Sequence, residues 1–510
     1  MRKWVDDCQG HKICGKSSDN VVFPTRVLDL GSVDGPYLRL CNGASITSNQ
    51  KYMTLSHCWG SFMPLRLLEE NAEAFFNDID FTSLSKSFQD AIIITRMLGI
   101  RYLWIDSLCI IQDSRLDWQR ESVTMARVYE NSWCNIMATQ AEDGRGGCFS
   151  NQISQNIAPF TSQFGMSGRT YEFWTEEAWN GNISNSKLLS RAWVVQERVL
   201  SQRLLHFAKD QVFWECSEVR ACESIPNGIT GQEPKPGLNQ IGLQPGQGVY
   251  AAQFNTRYTF WKQLVALYSV CALTKPEQDK LVAISGIARK IGEPEEYLAG
   301  LWRQNLPLDL LWGVQEEEEE EEEEKKESAL LLPSTYRAPS WSWAKLDKEV
   351  DWEHQANDQP GPVEILEAST TPITDDRFGQ VRAGFLRLSA PLAKVAVEQD
   401  EFMWGDINGL PAKILHDTGE VIEECTRYCL LVSVIRRYKV KGIFLEPAGQ
   451  KGLYRRCGLF SITVLENDLE QERLRRLFSS PSNSITAADV EEDIGVHEPT
   501  KLHRYAVTLI

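Results

Sequence analysis

Tyr102-Leu103-Trp104-Ile105 is a near-continuous apolar run that stops at an acid, Asp106. A strand covered on both faces reads this way, whereas a half-solvated strand alternates. The residues on either side have helical spacing. Ser87 to Leu98 carries a stripe of Phe88, Ala91, Ile92, Thr95 and Leu98, with Ser87 as cap, Asp90 at the capping-box position and Gly99 just past the end. Asp117 to Glu130 places Trp118, Ser122, Met125, Val128 and Tyr129 on one side; Met and aromatic residues at that spacing are more often core than a cofactor box. Tyr52 to Leu55 precedes these elements as a short strand and Trp133 to Thr139 follows them as another. The order βαβαβ implies a mostly parallel sheet with right-handed crossovers, hence an α/β domain.

In such a sheet ligands meet the carboxyl ends of the strands. Ser56-His57-Cys58-Trp59-Gly60 lies at one of those ends, with Gly60 permitting a sharp turn, and Asp106 lies at another. Each has two readings. His57 is a hydrogen-bonded core histidine or a site residue; Asp106 is a helix cap or a site acid.

Leu188 to Ser201, LLSRAWVVQERVLS, reads as one amphipathic helix with Ser190 as N-cap. Trp193 and Glu197 are four apart and share a face, while Ala192, Val195 and Val199 form an apolar stripe elsewhere. Glu197 is then either a solvated glutamate or an acid presented to a site by a rigid element. Strands at Leu204 to Phe207 and Gln211 to Glu215 follow, and Ala141 to Lys187, rich in Gly, Ser and Asn, reads as a long irregular insertion.

Charge and cysteine usage narrow the functional classes. A net charge of −17 argues against a non-specific nucleic-acid binder, although Glu316 to Glu324 supplies part of it as a solvated linker. No apolar run approaches the roughly 18 residues that span a bilayer; the best, Cys429 to Ile435, is strand-sized. The first residues lack a signal-peptide apolar region. Thirteen cysteines, an odd number spread over the chain, fit free thiols in a reducing, cytoplasmic setting. Cys8, His11 and Cys14 have zinc-ligand character but make only three ligands, with Cys41 the nearest later candidate; packed thiols in a docking segment are the alternative, and no resident metal or cofactor is expected. Cys58 and Cys109 invite a Cys–His hydrolase reading with His57 or His206, although nothing in the sequence places either histidine beside a thiol.

The expected organisation is a docking segment at 1–48, the α/β domain at 49–225, a Gly/Pro/Gln linker at 226–248 and a helical extension at 249–312 docked on the α/β domain. An acidic linker follows at 313–335, then a Trp-rich anchor and a smaller β-rich domain at 336–510. In that last part period-two runs mark strands at 383–388, 429–435, 442–445 and 458–464, and 482–498 reads as loop.

YMTLSHCWG (52–60), YLWIDSLCIIQD (102–113), DWQRESVTMARVYENS (117–132) and SRAWVVQERVLSQRLLHF (190–207) resemble, in order and spacing, the fungal heterokaryon incompatibility (HET) domain. DKLVAISGIA (279–288), YLAGLW (297–302), DLLW (309–312) and YRAPSWSWA (336–344) are similar to extensions found in such proteins. That family triggers growth arrest and cell death when incompatible fungal cells fuse. The resemblance implies self-association through the HET domain and an incompatible allele product or another death-pathway protein as partner. HET domains are similar in turn to Toll/interleukin-1 receptor (TIR) domains, which implies a flavodoxin-like sheet. Ser190, Trp193 and Glu197 match the TIR pattern in which the glutamate cleaves NAD at the nicotinamide–ribose bond. On that resemblance Glu197 is the catalytic candidate, with Trp193, His57, Trp59, Asp106 and Arg191 as substrate-binding candidates and NAD as substrate rather than cofactor. A signalling and oligomerisation module without turnover is the alternative. No G-x-G-x-x-G follows any strand, which excludes a Rossmann-type dehydrogenase.

Overall fold

The computed structural model describes residues 1–14, 21–149 (except 33, 34 and 36), 160–164, 169–173, 179–229, 251–314, 335–352, 360–399, 404–417, 424–435, 439–464, 468–479, 485–497 and 502–510. The glutamate run at 316–324 and most of the Gly/Pro/Gln linker lie outside the described residues. The chain forms two compact units, one of Met1–Gln253 with Cys271–Leu273, the other of Phe254–Val270 with Thr274–Ile510.

The first unit opens with helix α1 (Arg2–Gln9) and is built on an eight-stranded sheet. Its strands are β1 (Arg26–Asp29), β2 (Arg39–Asn42), β3 (Tyr52–Ser56), β4 (Tyr102–Trp104), β5 (Cys134–Met137), β8 (Arg203–Phe207), β9 (Val212–Cys216) and β10 (Arg220–Cys222). The strands β6 (Phe160–Phe164) and β7 (Arg169–Phe173) form a separate antiparallel hairpin within the stretch expected to be irregular. The spatial order in the sheet is β10-β9-β8-β5-β3-β4-β1-β2. The four central strands pair in parallel, β8 with β5, β5 with β3 and β3 with β4. Antiparallel strands flank them on both sides. The sheet is therefore mixed, with a parallel centre where the apolar runs predicted one.

Helices α2 (Ala72–Asn77), α3 (Lys86–Met97), α4 (Asp106–Cys109) and α5 (Arg115–Asn131) supply the connections between β3 and β5. Helix α3 is capped two residues earlier than expected. Its N-cap is Ser85, so Asp90 is not a capping-box residue and instead accepts hydrogen bonds from Lys86 Nζ and from the backbone of Cys148 and Phe149. Gly99 closes it as expected, at φ +76°. The four parallel strands are wholly buried at β3, β4, β5 and β8, as strands covered on both faces must be.

The second unit contains the helix ending at Ser269, the helices Pro276–Asp279 and Val282–Ile291, and a Trp-rich stretch. Short pairs β11 (Tyr297–Leu298) with β12 (Leu301–Trp302) and β13 (Gly313–Val314) with β14 (Val350–Asp351) lie in that stretch. Trp261, Trp302, Trp312, Trp341 and Trp343 are all buried there. Nearly all the rest is β: β15 (Glu364–Pro372), β16 (Val381–Ala390), β17 (Leu392–Gln399), β18 (Trp404–Ile407), β19 (Pro411–His416), β20 (Glu424–Ile435), β21 (Lys439–Pro447), β22 (Leu453–Thr463), β23 (Glu492–His497) and β24 (Leu502–Leu509). Strands β17, β18, β19, β22, β21 and β20 pair antiparallel in a closed ring, because β21 pairs both β20 and β22. Val395, Val397, Ile407, Ile414, Leu431, Phe444, Phe460 and Ile462 fill this barrel, and Leu474, Leu477 and Phe478 of the helix Asp468–Ser479 join the same core. The stretch 482–498 is not all loop: β23 occupies its end, paired with β24. Glu, Asp and Gly in β23 hide a strand whose signal is the partner rather than its own pattern.

Candidate functional site

The central parallel strands run in the order β8-β5-β3-β4, so the chain leaves β3 toward β4 on one side and returns to β5 on the other. The order reverses between β3 and β5, and in open α/β sheets a crevice opens there at the carboxyl ends. Ser56 ends β3, and His57, Cys58 and Trp59 follow it. Gly60 turns the chain at φ +60°, where an added Cβ would come within 2.4 Å of Asp143 Cβ.

Glu197 comes to this place from the helix Ala192–Leu200. That helix is shorter than the predicted one. Arg191 occupies its N-cap position, and Ser190 Oγ donates to the Lys187 carbonyl at 2.9 Å instead of capping. The helix is also more deeply set than its apolar stripe implied: Ala192, Val194, Val195, Gln196, Glu197, Val199 and Leu200 are all buried. Glu197 is 5% exposed, which removes the solvated-glutamate reading.

Glu197 Oε2 accepts a hydrogen bond from Ser56 Oγ, and the Tyr129 hydroxyl of α5 adjoins both groups. Asn135 of β5 donates to Ser56 Oγ at 2.9 Å, while its own carbonyl oxygen accepts from Thr54 Oγ1 at 3.0 Å. These four hydroxyl and amide side chains form a chain of hydrogen bonds that runs from α5 across β3 to β5. Burial pushes the Glu197 carboxyl up to about 7, against the pull of the Arg191 cation and of the Ser56 and Tyr129 hydroxyls. Tyr129, buried and facing carboxylates, stays a neutral phenol because its own ionisation is pushed well above the usual range.

His57, Asp106, Trp59 and Arg191 form the adjoining half. The His57 ring sits 3.7 Å from Asp106 Oδ1 by Nδ1 and 3.3 Å from Ser107 Oγ by Nε2. Trp59 Nε1 donates to Asp106 Oδ2 at 3.1 Å, and the Trp59 ring stacks with His57 at 6.3 Å between centroids. Arg191 donates to the His57 carbonyl. Burial lowers the His57 imidazole to about 4, outweighing Asp106, so at neutral pH it is uncharged. Asp106 also takes the Ser107 backbone N–H at 2.6 Å, but the N-cap of α4 is Ile105, and Asp106 is the first helical residue rather than the cap. Asp106, Trp59 and Arg191 are partly exposed whereas His57 and Glu197 are buried; the constellation grades from a wet rim to a dry carboxyl. Trp193, one turn before Glu197, is half-buried.

Residues 52–197 match the family model described as heterokaryon incompatibility protein (HET). The chain carries a HET domain. Its matched stretch begins with β3, which brings Ser56, and ends on Glu197, so the family's extent brackets the two partners of the central hydrogen bond. Among curated proteins and solved structures none matches the chain. Among the described residues no helix is long and apolar enough to cross a membrane.

The HET domain also holds residues that sequence reasoning passed over. Tyr129 read as one more core aromatic on α5, and Ser56 was overshadowed by His57. Asn135 carried a signal: an amide inside a strand of otherwise apolar residues, which must be hydrogen-bonded if buried. The Cys–His hydrolase reading fails. His57 and His206 bond to Ser107 and to Thr139 and Glu215, not to thiols, and burial pushes the Cys109 thiol up to about 12.

Proposed function

We propose that this HET domain hydrolyses NAD at the nicotinamide–ribose bond and that this reaction is its contribution to fungal incompatibility and programmed cell death. The reading rests on one observation above all: a carboxyl group held in a dry site, hydrogen-bonded by Ser56 and bordered by Tyr129, beside the point where the strand order reverses. The central order β8-β5-β3-β4 is the one a flavodoxin-like or TIR-like sheet has over its first four strands, which supports the kinship that the sequence motifs suggest.

The chemistry suits one carboxylate. Nicotinamide departs from a cationic pyridinium, so the C1′–N bond breaks with its electron pair going to the ring nitrogen, and the leaving group needs no proton. The ribose becomes oxocarbenium-like, and ionised Glu197 stabilises that charge as glycosidase carboxylates do. Water then bonds to C1′ and its proton passes to the carboxylate or to solvent. With its ionisation near 7, Glu197 is divided between a charge-stabilising and a proton-carrying form at neutral pH. Arg191 provides a cation for a phosphate and Trp59 a ring surface for a base.

The competing reading is a signalling module without turnover, built by self-association. Its support is the same burial: a 5% exposed acid with hydroxyl partners can serve the fold alone. Incubating the purified full chain with NAD and measuring nicotinamide and ADP-ribose separates the two. Turnover lost in Glu197→Gln supports hydrolysis; turnover that survives the substitution dismisses the assigned role; no turnover in wild type, even when copies are forced together, favours the signalling module.

A further inference from the structure

Helix α1 brings Cys8 to the sheet edge, and the chain beyond it brings His11 and Cys14 to the same spot. The fourth group comes from β9. Cys216 ends that strand, and the ligand atoms of Cys8, His11, Cys14 and Cys216 all lie within 4.8 Å of one another. Cys41, the nearer candidate along the sequence, is excluded by the sheet order, since β2 and β9 lie toward opposite edges.

We infer that these four residues form a closed, structural zinc site. Three soft sulfurs and one imidazole are the donor set of a tetrahedral Cys3His centre. Zinc bonds of the usual lengths set neighbouring ligand atoms about 3.5 Å apart, and His11 Nδ1 and Cys216 Sγ are 3.6 Å apart. None of the three thiols is in a disulfide, and all three are buried, with His11 at the rim. The surroundings fit an anionic centre. The Val219 N–H points at Cys216 Sγ from 3.3 Å, the kind of contact that steadies a metal thiolate. Arg203 is 3% exposed and donates to the carbonyls of Trp133 and Cys14 and to Gln202 Oε1; no carboxylate pairs with it among the described residues, and its Nε has no partner. Zinc bound to three thiolates and a neutral imidazole carries one net negative charge, which is the counter-charge this guanidinium lacks. Binding displaces the three thiol protons to solvent.

The metal would fasten the first fourteen residues to the β9–β10 edge. Trp4 Nε1 already donates to the Pro226 carbonyl at 2.8 Å, and its ring lies 6.4 Å from that of Trp214 on β9. With four protein ligands no coordination position is open for substrate, so the role is one of folding.

The test uses the full chain, dialysed and analysed for metal, then titrated with zinc chloride and with cobalt(II) chloride. One zinc per chain is expected, with thiolate-to-cobalt charge-transfer bands and the d–d bands of a tetrahedral site. Cys216→Ser should lose stoichiometric zinc, and Cys41→Ser should keep it. Absence of those cobalt bands in folded wild type, iron in place of zinc, or equal zinc retention in Cys216→Ser and Cys41→Ser would overturn the assignment.

Discussion

Two glutamates in the HET-bearing unit are buried to nearly the same degree and ionise in opposite directions. Glu215, on β9, meets Arg198 through two hydrogen bonds of 2.8 Å, Arg220 at 3.0 Å and His206 at 3.3 Å. Those charges overcome its burial and hold its carboxyl well below the usual range. Glu197, the residue before Arg198, points about 100° around the same helix and meets hydroxyls, so burial wins and its carboxyl rises to about 7. Desolvation alone does not mark a functional acid; what matters is whether the partners are full charges or dipoles. One helix thus separates an acid pinned by cations from an acid able to gain and lose a proton near neutrality.

The largest test of this contrast is Glu215→Gln. It leaves Arg198 and Arg220 without their counter-charge, and a loss of about 3–5 kcal/mol in unfolding free energy by urea titration is expected. Wild-type stability from this group is present above the ordinary carboxylate range and is lost as pH falls through the lowered folded value. Glu197→Gln should run the other way. A carboxyl raised from 4.5 to about 7 stabilises the fold fully below 4.5, and that contribution is gone above 7. The variant should therefore gain on wild type by about 3 kcal/mol between pH 4.5 and pH 8, a gap read from urea midpoints at several pH values. A gap independent of pH would mean that Glu197 titrates normally.

Arg191→Met probes a smaller term. Removing the cation that most restrains Glu197 should raise its ionisation further, by up to about one unit, and shift the acid limb of any NAD turnover to higher pH. The smallest effect is expected at His57. Its imidazole resonances should stay put from pH 8 to 5, because burial keeps the ring neutral until the pH nears 4; stability from the neutral ring is lost progressively as pH falls from 6.5 to about 4, while the unfolded chain alone takes up the proton.

The parallel centre was legible in the sequence because the apolar runs of β3 and β4 and the stripes of α3 and α5 are local patterns. The burial of Glu197 was not, since a four-residue spacing fixes which side chains share a face but not which face meets the sheet. Nor could Cys216 be joined to Cys8 and Cys14 from the chain alone, because more than half of the first unit intervenes. In the second unit, β16, β20, β21 and β22 showed as period-two or apolar runs. The mostly half-buried strand β15 and the charged helix Asp468–Ser479 offered no such cue; among the described side chains of that helix Leu474, Leu477 and Phe478 enter the core.

Closure of the barrel has a consequence for crowding in the cell. Every strand of the ring has a neighbour on each side, so none presents an open row of N–H and C=O groups for a second chain to zip onto. The edge strand β15 is interrupted by register shifts between Ile365 and Glu367 and between Thr371 and Pro372, carries Glu364 and Glu367 near one end and ends on Pro372. The ring strands therefore offer no template for amyloid-like stacking, and any strand-to-strand addition is left to the sheet edges outside the ring.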